Sequence, residues 1–359
     1  MKKRNAPVII ESAGIVSTFG GDPESFWHSL EKGLEKSRIG DREAAVRNPA
    51  DYLTDMCVSG VRKAALTADI DMGDGEGCVI VGTGMGISDA CLQKEESFSL
   101  CSLKNTLRKR LHTRVSVLAT ACCAGAQAVI YAADLLQSGT FRWVIAGGAE
   151  AYSKITVDGF RRLAAIDDPY CRPFDRGRRG ISIGEGAVFF ALRHAEERTR
   201  CGLAEIAGYG MTSDAYHPTA PEPGGCQAKR AIHAALETAG IAAVQIDAVV
   251  AHGTGTPQND RTEAEILSDL FGGADVTAPK SLIGHTGGAS GAFGILAAVG
   301  MLKRQRIPPI VHLRTPDPAF RNRFVTGEAK ERRLGHVLVD CFAFGGCNSA
   351  VICRRMQEK

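Results

Sequence analysis

One cysteine, two histidines and a lysine occupy positions where an α/β chain presents side chains for chemistry. Cys122 lies between an apolar run at 115–119 and a helix-forming run at 124–136. A strand-to-helix turn exposes a nucleophile. The free N–H groups and partial positive charge of a helix start lower the pKa of a thiol placed there. Ala121, Ala124 and Gly125 leave room for a substrate to approach. A Cys-Cys pair is equally compatible with two core thiols; Cys123 is assigned to packing.

His252 ends a Val-Val-Ala run and heads His-Gly-Thr-Gly-Thr-Pro. Ligand clefts form at such strand ends, although a satisfied core histidine reads the same way. Lys280 and His285 belong to PKSLIGHTGGASGAFG, whose Gly, Ala and Ser content predicts a closely packed, buried helix. Burying a Lys and a His there is costly unless they are paired or used. Asp260 and Glu263, three apart on a predicted helix face, can supply counter-charge or simply face solvent. Phe344 precedes Gly345-Gly346 in an aromatic turn. The run GTGMG (82–86) is not a dinucleotide fingerprint, because Ile87 stands where its last glycine belongs.

The elements that position these residues alternate between strand and helix. Apolar runs at 8–10, 78–81, 115–119 and 143–146 read as strands, with helical spacing at 124–136. Buried central strands in this order predict an α/β fold. The plan recurs: VIVGTGMGISD (79–89) resembles VVAHGTGTPQND (249–260). TACCAGAQAVIYAADLL (120–136) resembles GHTGGASGAFGILAAVGML (284–302). Two matched pairs in one order predict a duplicated βαβ-rich unit, with the break in the charged stretch 193–202.

The chain has 359 residues, 44% hydrophobic and 23% charged, with net charge +3. These values exclude a disordered, collagenous or coiled-coil protein. The charge is too mild for nucleic-acid binding over a whole surface. No apolar run reaches the ~18 residues a membrane span needs. The 12 Cys include no C-x-x-C pair, which argues against a zinc site. The basic start, Met1 to Arg4, leads into a run that Glu11 interrupts, so it reads as a strand rather than an export signal. Reduced thiols and a cytoplasmic location are expected.

Taken together, the motifs resemble the β-ketoacyl-acyl-carrier-protein synthases, condensing enzymes of the thiolase superfamily, in their Cys-His-His branch. The resemblance rests on VIIESAGIVSTFG (8–20), ATACCAGAQ (119–127), RPFDRGRRGISIGEGA (172–187), AHGTGTPQND (251–260), KSLIGHTGGASG (280–291) and FAFGGCNSA (342–350). It implies a thiolase-like, five-layered α/β/α/β/α fold built from two halves, 1–195 and 196–359. It implies Cys122 as the acylated nucleophile, His252 and His285 as the catalytic pair, and Lys280 as the site lysine, steadied by Glu263. Phe344 would be the gate, its N–H and that of Cys122 forming the oxyanion hole. Thr254 and Thr256 would bind a phosphopantetheine arm. The second His separates this branch from type III synthases, which carry Asn, and from thiolases, which carry Cys.

The implied reaction is acyl transfer to Cys122 followed by decarboxylative Claisen condensation with a malonyl thioester, without metal or redox cofactor. The implied partners are an acyl carrier protein and a second ketosynthase-like subunit, identical or different; no nucleic acid or membrane is implied. Arg62, Lys63, Arg108, Lys109 and Arg110 are candidate carrier-docking residues and equally a solvated face. The stretch between Gly86 and Val115 is shorter than in typical members. Ala343 replaces a Gly of the gate, and Gly255 and Arg179 also depart from the family pattern. These departures point to a specialised fatty-acid or polyketide pathway. Two alternatives share the fold: an acyltransferase that does not condense, and a chain-length-factor-like partner subunit, which typically lacks the nucleophile.

Overall fold

The strands alternate their side chains between two cores, and that alternation builds the layers. The computed structural model describes residues 7–34, 49–86, 99–168, 170–197 and 201–356. In the first half the strands are β1 (Val8–Val16), β2 (Gly77–Gly82), β3 (Arg114–Leu118), β4 (Trp143–Glu150) and β5 (Gly186–His194). The second half begins with β6 (Ala204–Ser213), β7 (Ala248–Val250) and β8 (Asp275–Thr277), and ends with β12 (His336–Phe342) and β13 (Cys347–Arg354). Between these come the two-residue strands β9 (Arg306–Ile307), β10 (Arg323–Phe324) and β11 (Lys330–Glu331). On β2, Cys78 and Ile80 face one core while Val79 and Val81 face another. On β12, Val337 and Val339 face the first core and Leu338 a third. Strands buried on both faces carry continuous apolar runs for this reason.

Both halves use the same strand order. From its outer edge the first half reads β3-β2-β4-β5-β1, and the second reads β8-β7-β12-β13-β6 with β10 added outside. They meet where β1 and β6 pair antiparallel from Val8↔Ile206 to Ile10↔Ala204. The expected boundary at 195/196 falls in the connection from β5 to β6. β1 runs further than the apolar triplet predicts. Glu11 sits at an irregularity in its register with β5 and forms a buried 2.8 Å ion pair with Arg193.

The helices complete the layers. They are α1 (Pro23–Lys32), α2 (Pro49–Thr67), α3 (Leu100–Leu111), α4 (Ala124–Gln137), α5 (Lys154–Arg162), α6 (Cys226–Ala239), α7 (Pro257–Phe271), α8 (Lys280–Ile283) and α9 (Ser290–Arg304). The central core joins α4 and α9 to the inner faces of both half-sheets. One outer core holds α2 and α3, and the other α6 and α7. The order α2/α3, sheet, α4/α9, sheet, α6/α7 is the five-layered α/β/α/β/α arrangement.

The small residues that open α4 and α9 let them approach. A Cβ at Gly125 would stand 2.8 Å from the carbonyl oxygen of Gly288, a distance no side chain tolerates. The starts of the matched helices therefore touch at the pseudo-dyad, and each follows a 3-10 turn, Ala121–Cys123 and Gly287–Ala289.

Candidate active site

β3 ends against the dyad, and the chain turns sharply into α4. Ala121 takes left-handed backbone, φ 49°, although it is not glycine. Non-glycine residues held in that region mark functional turns. The turn presents Cys122 to a cavity while Cys123 points inward. Cys123 is fully buried, its thiol donating to the Cys341 and Cys347 carbonyls at 3.2 and 3.1 Å.

The expectation for the Cys122 thiol requires a correction. Burial pushes it up to about 11, with the charge of Lys280 and the N–H groups of Cys122 and Phe344 pulling it down and Glu150 adding to the rise. Desolvation outweighs the helix start. The resting thiol is protonated at neutral pH, so iodoacetamide alkylation of Cys122 should accelerate roughly tenfold per pH unit between about pH 7 and 9. Peptide mass spectrometry would separate it from the exposed Cys101, Cys201 and Cys226. A rate that levels off below pH 8 would contradict this.

His252 and His285 reach the same cavity as Cys122 and Phe344. Their rings lie 5.9 Å apart and perpendicular, at 89°. Burial, then the Lys280 charge, then His285 hold His252 well below the ordinary histidine range. Burial and then Lys280 push His285 down to about 3. Both imidazoles are neutral at neutral pH.

Their tautomers follow from their partners. Lys280 Nζ lies 3.2 Å from His252 Nδ1 and donates to the His252 carbonyl at 2.6 Å. An ammonium only donates, so Nδ1 accepts and the ring proton is on Nε2. Gly287 N–H donates to His285 Nδ1 at 3.0 Å, which again assigns the proton to Nε2. Two Nε2–H donors therefore share one cavity with the thiol.

Behind His252 lies a buried acid pair. Asp340 Oδ1 accepts the His252 N–H at 2.7 Å, and Glu263 Oε2 accepts the Gly253 N–H at 2.9 Å. Burial raises both carboxyls, Asp340 to about 6 and Glu263 well above its ordinary value, and the neighbouring Asp340 charge adds to the rise at Glu263. Glu263 thus meets Gly253, Asn259 and Asp340, whereas the hydrogen bonds of Lys280 run to His252. Lys280 therefore reaches the His252 carbonyl directly, and Glu263 reaches the same loop through the Gly253 N–H.

Asp260 is fully buried rather than solvated. It accepts the N–H groups of Thr254 and Gly255, both at 3.1 Å, and that of Phe174 at 2.8 Å. It thereby pins the loop whose Thr254 and Thr256 hydroxyls, 2.8 Å apart, line the cavity.

Two cavities meet at Cys122. One, of about 290 Å³, is lined by both histidines and by Thr254 and Thr256. The other, of about 200 Å³, lies among Met85, Ala121, Glu150 and Ile183. Cys122, Phe160, His285 and Phe344 border both. Phe344, 36% exposed, packs its ring at a tilt of 31° and 5.3 Å from that of Phe160 of α5 at the junction. Lys280, Asp260 and Glu263 stand behind the lining.

Three contributors escape sequence reasoning. Asp340 is a lone carboxyl inside the apolar strand VLVDCF, and Glu150 ends the buried strand WVIAGGAE. A charge in a buried strand is a usable signal, because it must find partners. Phe160 carries none.

The family model for the β-ketoacyl synthase N-terminal domain matches residues 106–198, and that for the C-terminal domain matches residues 203–314. The chain belongs to the β-ketoacyl synthase family. Among similar members, the 3-oxoacyl-[acyl-carrier-protein] synthase 2 of Staphylococcus aureus (strain N315) is 29% identical over 99% of both chains. The Coxiella burnetii (strain RSA 493 / Nine Mile phase I) protein of that name is 35% identical over 67% of this chain and 61% of its own. The solved ishigamide ketosynthase/chain length factor matches with a TM-score of 0.90 at 28% identity, over 99% of this chain and 100% of that one. Like this synthase, such ketosynthases have the layered fold described above.

Proposed function

We propose that this chain is a β-ketoacyl-acyl-carrier-protein synthase, which accepts an acyl group on Cys122 and extends it by two carbons from a malonyl thioester. The arrangement of Cys122 with two Nε2–H imidazoles in one cavity carries the reading. An acyl-pantetheine thioester enters past Thr254 and Thr256. Cys122 attacks its carbonyl, and the N–H groups of Cys122 and Phe344 stabilise the oxyanion. The pantetheine sulfur leaves and takes up the proton lost by Cys122. Neither imidazole is placed to act as base, since Nε2 carries the proton and Nδ1 faces the Lys280 ammonium in His252 and the Gly287 N–H in His285.

A malonyl thioester follows. Its carboxylate leaves as CO₂, and the electron pair passes into an enolate whose oxygen meets the two Nε2–H donors. The enolate carbon attacks the Cys122 thioester, and the tetrahedral intermediate collapses to a β-ketoacyl thioester and the Cys122 thiolate, which regains a proton. No metal or redox group enters these steps. The acyl chain is assigned to the smaller cavity and the arm to the larger.

The acyl carrier protein is the proposed donor partner, and the cytoplasm the proposed location; no helix among the described residues is long and apolar enough to cross a membrane. The outer edge of β3, where Arg114 and Ser116 are exposed, offers pairing to a second ketosynthase-like subunit, identical or different. The basic residues singled out on α2 and α3 line neither cavity. Lys63 donates to the Ile15 and Gly21 carbonyls, and Arg110 pairs with Asp55. Arg161 and Arg162 end α5 beside Leu163, which lines the larger cavity. Reversing both arginines to Glu should raise KM for acyl carrier protein about tenfold with little change in kcat, and added salt should shrink the difference. An unchanged KM would place docking elsewhere. A partner subunit is separated from this reading by CO₂ release and acylation in the wild type, and a non-condensing acyltransferase by whether malonyl carrier protein discharges the Cys122 adduct.

A further inference from the structure

Glu150 stands beside the nucleophile without a part in the steps above. It is 6% exposed and lines the smaller cavity with Cys122 and His285. Its Oε2 accepts the N–H groups of Gly84 at 2.5 Å and Gly288 at 2.7 Å. Its Oε1 accepts the Met85 N–H at 3.1 Å and the Thr83 hydroxyl at 3.3 Å. Thr83, Gly84 and Met85 follow β2 in the first half, and Gly288 precedes α9 in the second. One carboxylate therefore ties the two halves together at the dyad.

The backbone closes tightly around it. Gly287 has φ 49°, and a Cβ there would stand 2.6 Å from the Glu150 side chain. Its own N–H is the donor to His285 Nδ1. The path from Glu150 to the reaction is therefore short: the carboxylate holds Gly288, the 287–288 turn follows, and the Gly287 N–H donates a hydrogen bond to the imidazole.

We infer that Glu150 is a positioning residue for His285, fixing its Nε2–H tautomer and its place against Cys122 through the 287–288 turn. This rests on the reading of His285 as an enolate donor. Glu150 acts on Cys122 with the opposite sign, since its negative charge disfavours the thiolate. Removing that charge therefore separates the two half-reactions.

The test is Glu150→Gln in the full chain, with three readouts. These are acylation by acyl carrier protein, CO₂ release from malonyl carrier protein, and the tautomers of the ring nitrogens by ¹⁵N NMR. A glutamine offers one acceptor oxygen and turns an NH₂ group toward backbone donors. CO₂ release should fall at least tenfold more than acylation, and His285 should lose its uniform Nε2–H signature. Equal loss in both half-reactions, or unchanged CO₂ release with an unchanged tautomer, would overturn the inference. Should the glutamine variant not fold, Thr83→Val removes a single donor and should produce the same split, weaker, by about two- to fivefold. A wild-type protein that neither acylates nor releases CO₂ would sink the proposed function instead, and the NMR arm would still test Glu150.

Discussion

Cys122→Ala should abolish acyl transfer, by at least about a thousandfold, and leave malonyl decarboxylation running. Among the described residues, Cys122 is the only thiol that lines either cavity. The neighbouring thiol of Cys123 is buried and turned to the Cys341 and Cys347 carbonyls. Decarboxylation needs only the two Nε2–H groups, which the substitution does not touch. Measured as CO₂ release from malonyl carrier protein, the variant should keep a rate comparable to wild type without acyl acceptor. A variant that still forms an acyl adduct would place the nucleophile elsewhere, and a partner subunit without condensing activity would show neither reaction in the wild type.

His285→Ala should show the reverse. Acylation of Cys122 relies on the thiol and the N–H groups of Cys122 and Phe344, so the acyl adduct should still form. Condensation should fall about 10²- to 10³-fold, the usual loss when one preorganised donor to a developing oxyanion is removed. The two variants together place the thiol and the imidazoles in separate half-reactions. Unimpaired condensation by His285→Ala would leave the enolate with a different stabiliser. Equal loss of acylation would mean that the imidazole takes part in thioester exchange after all.

Much of this site is legible from the chain. Cys122, His252 and His285 each precede or follow an apolar run beside glycines, and the strand periodicity locates the turns. The small residues of α4 and α9 announce close packing, which the contact of Gly125 with Gly288 explains. What is not legible is long-range. Asp340 and Glu263 are 77 positions apart in the sequence (340 − 263), and only the pairing of β12 with β7 brings them behind His252. Glu150 likewise acquires its role from loops of both halves. The thiol pKa illustrates a limit of local reasoning: a helix start favours the thiolate, but desolvation depends on everything packed around Cys122 and sets the opposite direction. The shortened stretch between Gly86 and Val115 includes 87–98, outside the described residues, so the specialised pathway read in part from it has no structural counterpart there.

A thioester on Cys122, discharged by a malonyl thioester with chain extension, is the step on which the proposed function stands. Its most direct test is the intact mass of the protein after mixing with short acyl carrier proteins, then with malonyl carrier protein, beside Cys122→Ala. The expected result is an acyl adduct on the wild type alone, followed by its disappearance as a β-ketoacyl carrier protein two carbons longer is formed. An adduct that persists in the presence of malonyl carrier protein, with no β-ketoacyl product, would contradict it and identify an acyltransferase.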